Sequence, residues 1–101
     1  MRREDVPYGA LKAYDAMPQG ERELLGLPSH VSDRCLVCGK PAHDHHHVIP
    51  KRMGGRNLEI ERLIPTVTLC GFGNTSGCHG LAHEGRIDFT YEEGEWHGIL
   101  R

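Results

Sequence analysis

The chain has 101 residues, with 38% hydrophobic residues, 26% charged residues and 13 glycines, so we expect one small, soluble and loop-rich domain. No apolar run approaches the ~20 residues of a membrane span, and the charged start at residues 1–5 has no apolar stretch behind it. We therefore expect a cytoplasmic protein without a membrane partner. The formal net charge of −2 excludes a protein that coats nucleic acid by charge alone.

The first predicted elements are those of a helical arm over residues 1–33. Residues 10–17 and 21–25 predict two short helices, each followed by proline and glycine. Residues 35–39 predict a knuckle-like turn that leads into an extended segment. Residues 66–69 alternate and are rich in β-formers, so they predict a strand that ends beside a cysteine.

The second half of the chain continues with a glycine-rich loop over residues 71–77. A short helix is predicted at 79–83, and a β-hairpin at 87–101. Charge is unevenly distributed: residues 34–62 hold six Lys/Arg against three acids, whereas residues 63–101 hold two Lys/Arg against five acids. The small net charge therefore hides a basic segment.

Four cysteines are the first candidates for metal ligands. Cys35 and Cys38 have the spacing at which a tight turn directs two thiolates to one tetrahedral ion, and Cys70 and Cys78 supply a second pair across a wider gap. Without a secretory signal, a metal is favoured over disulfides. We predict a structural Zn²⁺ on these cysteines, which would contribute ~10 kcal/mol or more to a small core. Free or redox-active thiols, or a mixed site that borrows a histidine, are the alternatives.

The eight histidines include candidates for a second site. His79 and His83 are four residues apart on a predicted helix, so both imidazoles fall on one face; a surface or core role is the alternative. The tract DHHHVIP at residues 44–50 adds further imidazoles on an extended segment. Since neighbours on a strand point to opposite faces, His46 and His47 need a kink at the strand end to serve one site.

These motifs form an ordered set over residues 34–86. In chain order they are Cys35-x2-Cys38, His46-His47-Val48-Ile49-Pro50, Gly54-Gly55, Leu69-Cys70 and Cys78-His79-x3-His83. The set resembles the HNH endonuclease family, and most of all the small HNH endonucleases of tailed phages and prophages. The resemblance implies a small, zinc-stabilised α+β fold. In it, a ββα-metal (HNH, or His-Me finger) core at residues 34–86 lies between an N-terminal helical arm at 1–33 and a C-terminal β-hairpin at 87–101, in one domain overall.

The resemblance also implies roles for single residues. His46 matches the position on the first strand that binds the catalytic metal, and His47 matches the general base. His79 and His83 match the metal ligands on the helix, and the four cysteines match the structural zinc set. A site of three imidazoles favours Mn²⁺, Ni²⁺, Co²⁺ or Zn²⁺ over Mg²⁺.

One position departs from the family pattern. The middle Asn of the family usually lies five residues before the third zinc cysteine, where this chain has Pro65. In the family this Asn braces the loop that carries the base. Asn57 and Asn74 are the candidates to replace it.

The basic residues beside the histidine tract complete the expected site. Lys51, Arg52 and Arg56 are candidates to grip backbone phosphates, and solvated turn charges are the alternative. The resulting expectation is a metal-dependent endonuclease or nickase that hydrolyses double-stranded DNA. The family implies a bacterial host cell and a phage DNA-packaging context, with the terminase as partner. The alternative functions are a non-catalytic zinc module that binds nucleic acid or protein, and a zinc-bearing regulator or metal-storage domain.

Overall fold

A computed structural model describes residues 1–49, 57–72 and 75–101 of the chain. Within these ranges the elements are short helices and short strands, and the strands pair as two two-stranded sheets, β1 with β2 and β3 with β4. The elements are α1 (Leu11–Ala16), α2 (Gln19–Arg22), β1 (Asp44–His47), α3 (Leu58–Glu61), β2 (Thr66–Leu69), α4 (Gly77–His83), β3 (Ile87–Glu92) and β4 (Glu95–Leu100). The small α+β class predicted from the sequence is confirmed.

The described residues divide into two units, each built from two chain segments. Unit 1 contains residues 1–28 and 47–65, and unit 2 contains residues 29–46 and 66–101. No helix in the described parts of the chain has the length and apolar character needed to cross a membrane.

Unit 1 contains the main apolar core. Its buried members come from both chain segments, and they are Val6, Ala10, Tyr14, Met17, Leu25, Ile49, Ile60 and Ile64. The end of α1 is closed by Arg22, which donates to the carbonyls of Met17 at 2.7 Å and Asp15 at 2.9 Å. Helix α1 matches the helix predicted at residues 10–17, whereas α2 overlaps the one predicted at 21–25 only in part, because it begins two residues earlier, directly after Pro18, and ends three residues earlier.

Helix α3 has no counterpart among the predicted elements. Asn57 begins it, because its side-chain oxygen accepts hydrogen bonds from the backbone N–H groups of Glu59 and Ile60 at 2.9 and 3.1 Å. The side-chain nitrogen of Asn57 donates to the carbonyl of Gly9 at 3.1 Å. Both ends of the amide therefore stabilise unit 1.

Strand β2 is the most deeply buried strand of unit 2. Val67, Thr68 and Leu69 are all fully buried. Besides pairing with β1, β2 accepts a hydrogen bond at the Thr68 carbonyl from the backbone of Leu36, 2.9 Å away, which ties the Cys35 turn to the strand. The prediction of a strand at residues 66–69 is confirmed.

The C-terminal hairpin also belongs to unit 2, and its prediction is confirmed. Strands β3 and β4 are antiparallel, with Tyr91 opposite Trp96 and their rings 5.2 Å apart. A Cβ atom placed on Gly98 would lie 2.9 Å from a methyl group of Val37, so β4 packs directly on the turn between Cys35 and Cys38. The hairpin thus supports the first cysteine pair.

Candidate metal centres

The four cysteines come together in unit 2. The sulfur atoms of Cys35, Cys38, Cys70 and Cys78 all lie within 4.8 Å of one another, and none of them is in a disulfide. The Sγ atoms of Cys38 and Cys70 are 3.5 Å apart. Ligands about 2.3 Å from a tetrahedral zinc ion stand about 3.8 Å from each other, so the cluster has the size of a Cys₄ metal site. The predicted convergence of these residues is confirmed.

Two glycines allow the wide gap between Cys70 and Cys78 to close. Gly71 and Gly77 have φ angles of +115° and +61°, which favour glycine. A Cβ on Gly71 would lie 2.0 Å from the carbonyl oxygen of Ser76, and one on Gly77 would lie 2.6 Å from that of Cys70. The two ends of the loop therefore lie against each other, which brings the second cysteine pair together.

The thiols differ in how readily they ionise. Burial acts to raise the pKa of Cys35, but hydrogen bonds from the backbone of Cys38, Cys70 and Val37 outweigh it and lower the pKa to about 7. Burial raises the pKa of Cys78, and so do hydrogen bonds in which its thiol donates to neighbouring cysteine sulfurs. Four thiolates at these separations repel one another strongly unless a cation lies among them. The donor set therefore fits a thiophilic ion such as Zn²⁺.

A second cluster in unit 2 is formed by three histidines. One ring nitrogen of each of His46, His79 and His83 lies within 4.8 Å of the others. The Nε2 atoms of His79 and His83 are 3.2 Å apart. Two imidazoles on one tetrahedral ion at 2.0–2.1 Å would be about 3.3 Å apart, so this pair has the separation of two ligands of one ion.

Each histidine is presented by regular structure. His79 and His83 project from one face of α4, and His46 projects from β1 with its ring edge-on to both, at centroid distances of 5.3 and 4.9 Å. The ring of Phe89 in β3 packs against that of His46, with the ring centroids 5.6 Å apart. Burial, and the proximity of His79, lower the pKa of His83. A neutral imidazole, which is the form that binds a metal, is thereby favoured.

The carboxylate of Asp44 lies behind the histidine cluster. Its Oδ2 atom is 3.0 Å from Nδ1 of His79, whose side chain is only 8% exposed. No role for Asp44 was predicted from the sequence. A signal is nevertheless present, because Asp44 and His46 are two residues apart and therefore share one face of β1.

The two clusters are joined by the first turn of α4. Cys78 and His79 are adjacent, and the backbone N–H of His79 donates to the carbonyl of Cys70 at 2.9 Å. Helix α4 begins two residues before the predicted start, because the carbonyl of Ser76 accepts the first helical hydrogen bond from Gly80. One short helix thus contributes ligand candidates to both clusters.

The other residues of the predicted site have different positions. His47 is half-buried at the end of β1, and the backbone bends directly after it at Val48 and Ile49. Asn57 caps α3. Four further residues lie outside the described residues, namely Lys51, Arg52, Arg56 and Asn74.

Comparison of the chain with protein-family models, curated proteins and solved structures finds no match. Fold and site together define a small α+β protein with two clusters of metal-ligating side chains, one of four thiols and one of three imidazoles.

Proposed function

We propose that the protein is a metal-dependent endonuclease or nickase of the HNH type, acting on the phosphodiester bonds of double-stranded DNA. The observation that carries the proposal is the convergence of the His46, His79 and His83 ring nitrogens within 4.8 Å. The cysteine cluster supports it, and so does the pairing of β1 with β2 followed by α4, because a ββα-metal core has two paired strands and then a helix; in this chain α3 is inserted between the two strands.

The two clusters fit two different metal ions. The cysteines would hold a structural Zn²⁺, and the histidines would hold one divalent ion, with Mn²⁺, Ni²⁺, Co²⁺ and Zn²⁺ preferred by imidazole over Mg²⁺. When bound, the divalent ion supplies Lewis-acid chemistry that neutralises negative charge on the phosphate and on the leaving 3′ oxygen.

In this proposal His47 is the general base. A neutral imidazole accepts a proton near physiological pH, so His47 takes the proton from the water that attacks phosphorus. Its place at the end of β1, one residue after His46 and directly before a bend, supports this role. His46, in turn, is one of the three proposed ligands of the divalent ion.

The basic segment would hold the DNA. Lys51, Arg52 and Arg56 follow the histidine tract in sequence, and their cationic groups would bind backbone phosphates with little sequence preference and a strong dependence on salt. A phage DNA-packaging context, with terminase as partner in a bacterial cytoplasm, belongs to this proposal through the family resemblance.

A plasmid assay tests the proposed activity. Supercoiled plasmid is incubated with the purified protein and Mn²⁺, Ni²⁺, Co²⁺, Zn²⁺ or Mg²⁺ in separate reactions. We expect nicked or linear product with the wild type and at least a hundredfold slower product formation with His47→Ala, because general-base catalysis typically contributes ~10²–10⁴-fold. His97→Ala, at an exposed position of β4, is the matched control and should cut like the wild type.

Two outcomes would contradict the proposal. Equal cutting by the wild type and His47→Ala would show that His47 is not the base. The absence of cutting with every ion, in protein that binds metal at both clusters, would favour the alternative of a non-catalytic zinc module. The presence of Pro65 at the position of the family's middle Asn favours that alternative.

A further inference from the structure

We propose that Asp44 is a positioning residue for a metal ion at the histidine cluster. Its carboxylate accepts the Nδ1 proton of His79 and thereby directs Nε2 of the same ring toward the ion. The inference rests on the part of the proposed function in which His46, His79 and His83 bind a metal, and it does not depend on DNA cleavage.

The contact has the geometry of a hydrogen bond to a metal ligand. Asp44 Oδ2 and His79 Nδ1 are 3.0 Å apart, and the side chains of Asp44 and His79 are 27% and 8% exposed. A carboxylate only accepts, so the proton of the His79 ring belongs on Nδ1. Nε2 then carries the lone pair that a metal needs.

The other nitrogen of His79 is already directed into the cluster. Nε2 of His79 lies 3.2 Å from Nε2 of His83, which is close to the ~3.3 Å expected between two imidazole ligands of one ion. The His79 ring thus spans from Asp44 on one side to the cluster on the other. A carboxylate behind a ligating imidazole fixes the tautomer, limits rotation of the ring and increases its basicity.

The position of Asp44 in β1 accounts for the contact. Alternation along the strand directs Asp44 and His46 to the same face, where α4 presents His79 and His83. Residue 45 between them is exposed. One strand therefore supplies both a ligand candidate and the carboxylate that orients a second ligand candidate.

Cobalt binding tests this role without a catalytic readout. The full chain, with zinc in the cysteine cluster, is titrated with Co²⁺, and the visible absorption of the cobalt ion and the heat of binding are recorded. We expect Asp44→Ala to raise the Kd for Co²⁺ about tenfold to a hundredfold, as is typical for removal of such a partner. Asp44→Asn keeps an oxygen that can accept the proton but loses the charge, so its Kd should lie in between.

Matched controls separate this role from general stability. Asp88→Asn removes a carboxylate of β3 that pairs with Arg101 at the surface, and it should leave the Kd for Co²⁺ unchanged. Thermal unfolding of each zinc-loaded variant establishes that it is folded. If Asp44→Ala does not fold, Asp44→Asn decides the question by the same comparison with Asp88→Asn.

The failure of this inference differs from the failure of the proposed function. If the wild type binds Co²⁺ and His79→Ala abolishes that binding, while the folded Asp44 variants bind like the wild type, the positioning role is overturned and the histidine site stands. If the wild type binds no Co²⁺ beyond the cysteine cluster, or if His79→Ala binds it equally well, the histidine metal site itself is wrong.

Discussion

At the scale of single residues, Cys38 is the most informative member of the cysteine cluster. It is exposed, whereas Cys35 and Cys78 are buried, so replacing it changes little packing. Its thiol still lies 3.5 Å from that of Cys70. An effect of Cys38→Ser on stability would therefore report on metal binding rather than on the core.

We predict that Cys38→Ser lowers both the zinc content and the melting temperature. A decrease of only about 2 kcal/mol in the free energy of unfolding would lower the Tm by roughly 8–16 °C in a domain of this size. Zinc is measured by colorimetric release and the Tm by circular dichroism. Val31→Ser, at another exposed position of unit 2, is the control and should retain both properties. Wild-type protein that contains no zinc and melts alike with and without a chelator would disprove the prediction.

Asn57 provides a second prediction at this scale. Asn57→Ala removes the N-cap of α3 and the bond to Gly9, so it should cost about 1 kcal/mol of unfolding free energy. Asn57→Asp retains an acceptor for the cap and should cost less. Both variants should bind zinc and cobalt like the wild type, because the amide makes its recorded bonds within unit 1. Chemical denaturation and metal titration measure the two properties.

The opposite result for Asn57 would also be informative. Unchanged stability together with weaker metal binding or slower plasmid cutting would show that Asn57 takes the place of the family's middle Asn. Its role as a cap would then be secondary.

At the scale of elements, the loop between Cys70 and α4 determines how the second cysteine pair forms. We predict that Gly77→Ala destabilises the zinc-loaded protein by at least about 1 kcal/mol more than Gly94→Ala. Both glycines have positive φ angles, of 61° and 80°, so both substitutions incur the cost of a left-handed backbone, about 1–2 kcal/mol. A Cβ at position 77 also meets the Cys70 carbonyl, whereas one at position 94 meets nothing within 4 Å.

The measurement is the unfolding free energy in denaturant, together with the zinc affinity. Gly77→Ala should weaken zinc binding, and Gly94→Ala should not, because only the first glycine lies beside a cysteine of the cluster. Equal losses of stability in the two variants, with unchanged zinc affinity, would show that the loop tolerates the side chain.

The elements also show how far the sequence predicts this fold. The alternation of residues 66–69 predicts β2, since a period of two is visible in a short stretch, and two stretches on either side of the turn at residues 92–95 predict the hairpin. Helix α3 has four residues, too few to show a helical period. Its start depends on the Asn57 cap, and because an Asn side chain also bonds to the backbone in turns, this residue alone does not indicate a helix. The start of α4 depends on a backbone bond from Gly80 to Ser76, which no side-chain pattern encodes.

The site was predictable to a similar degree. The spacing of His79 and His83 and of Cys35 and Cys38 is local, so the pairs could be recognised in the sequence. The assembly of pairs from distant segments could be expected only through the motif order. The contact between Asp44 and His79 joins residues that are 35 positions apart in the chain. It depends on how β1 is positioned relative to α4, which the sequence alone does not determine.

At the scale of the whole molecule, the two units are stabilised differently. Unit 1 has a cluster of eight buried apolar residues, whereas both metal-ligand clusters lie in unit 2. We predict that a chelator increases amide hydrogen exchange in β1, β2 and α4 well before it does so in α1 and α3. Hydrogen exchange followed by mass spectrometry measures this for each segment.

Re-addition of Zn²⁺ is the control for this experiment and should restore protection in unit 2. Loss of protection at the same rate in both units would show that they unfold as one cooperative body. Unchanged protection everywhere would show that apolar packing alone maintains the fold.

The alternation along β1 has a consequence for strand register. Residues 43, 45, 46 and 47 are all histidine, so a slip of one residue in either direction would still place an imidazole where His46 now lies. The same slip would replace Asp44 by His43 or His45 opposite Nδ1 of His79 and would remove the carboxylate. In this repetitive tract Asp44 is therefore the residue that distinguishes the native strand register from the two registers shifted by one residue.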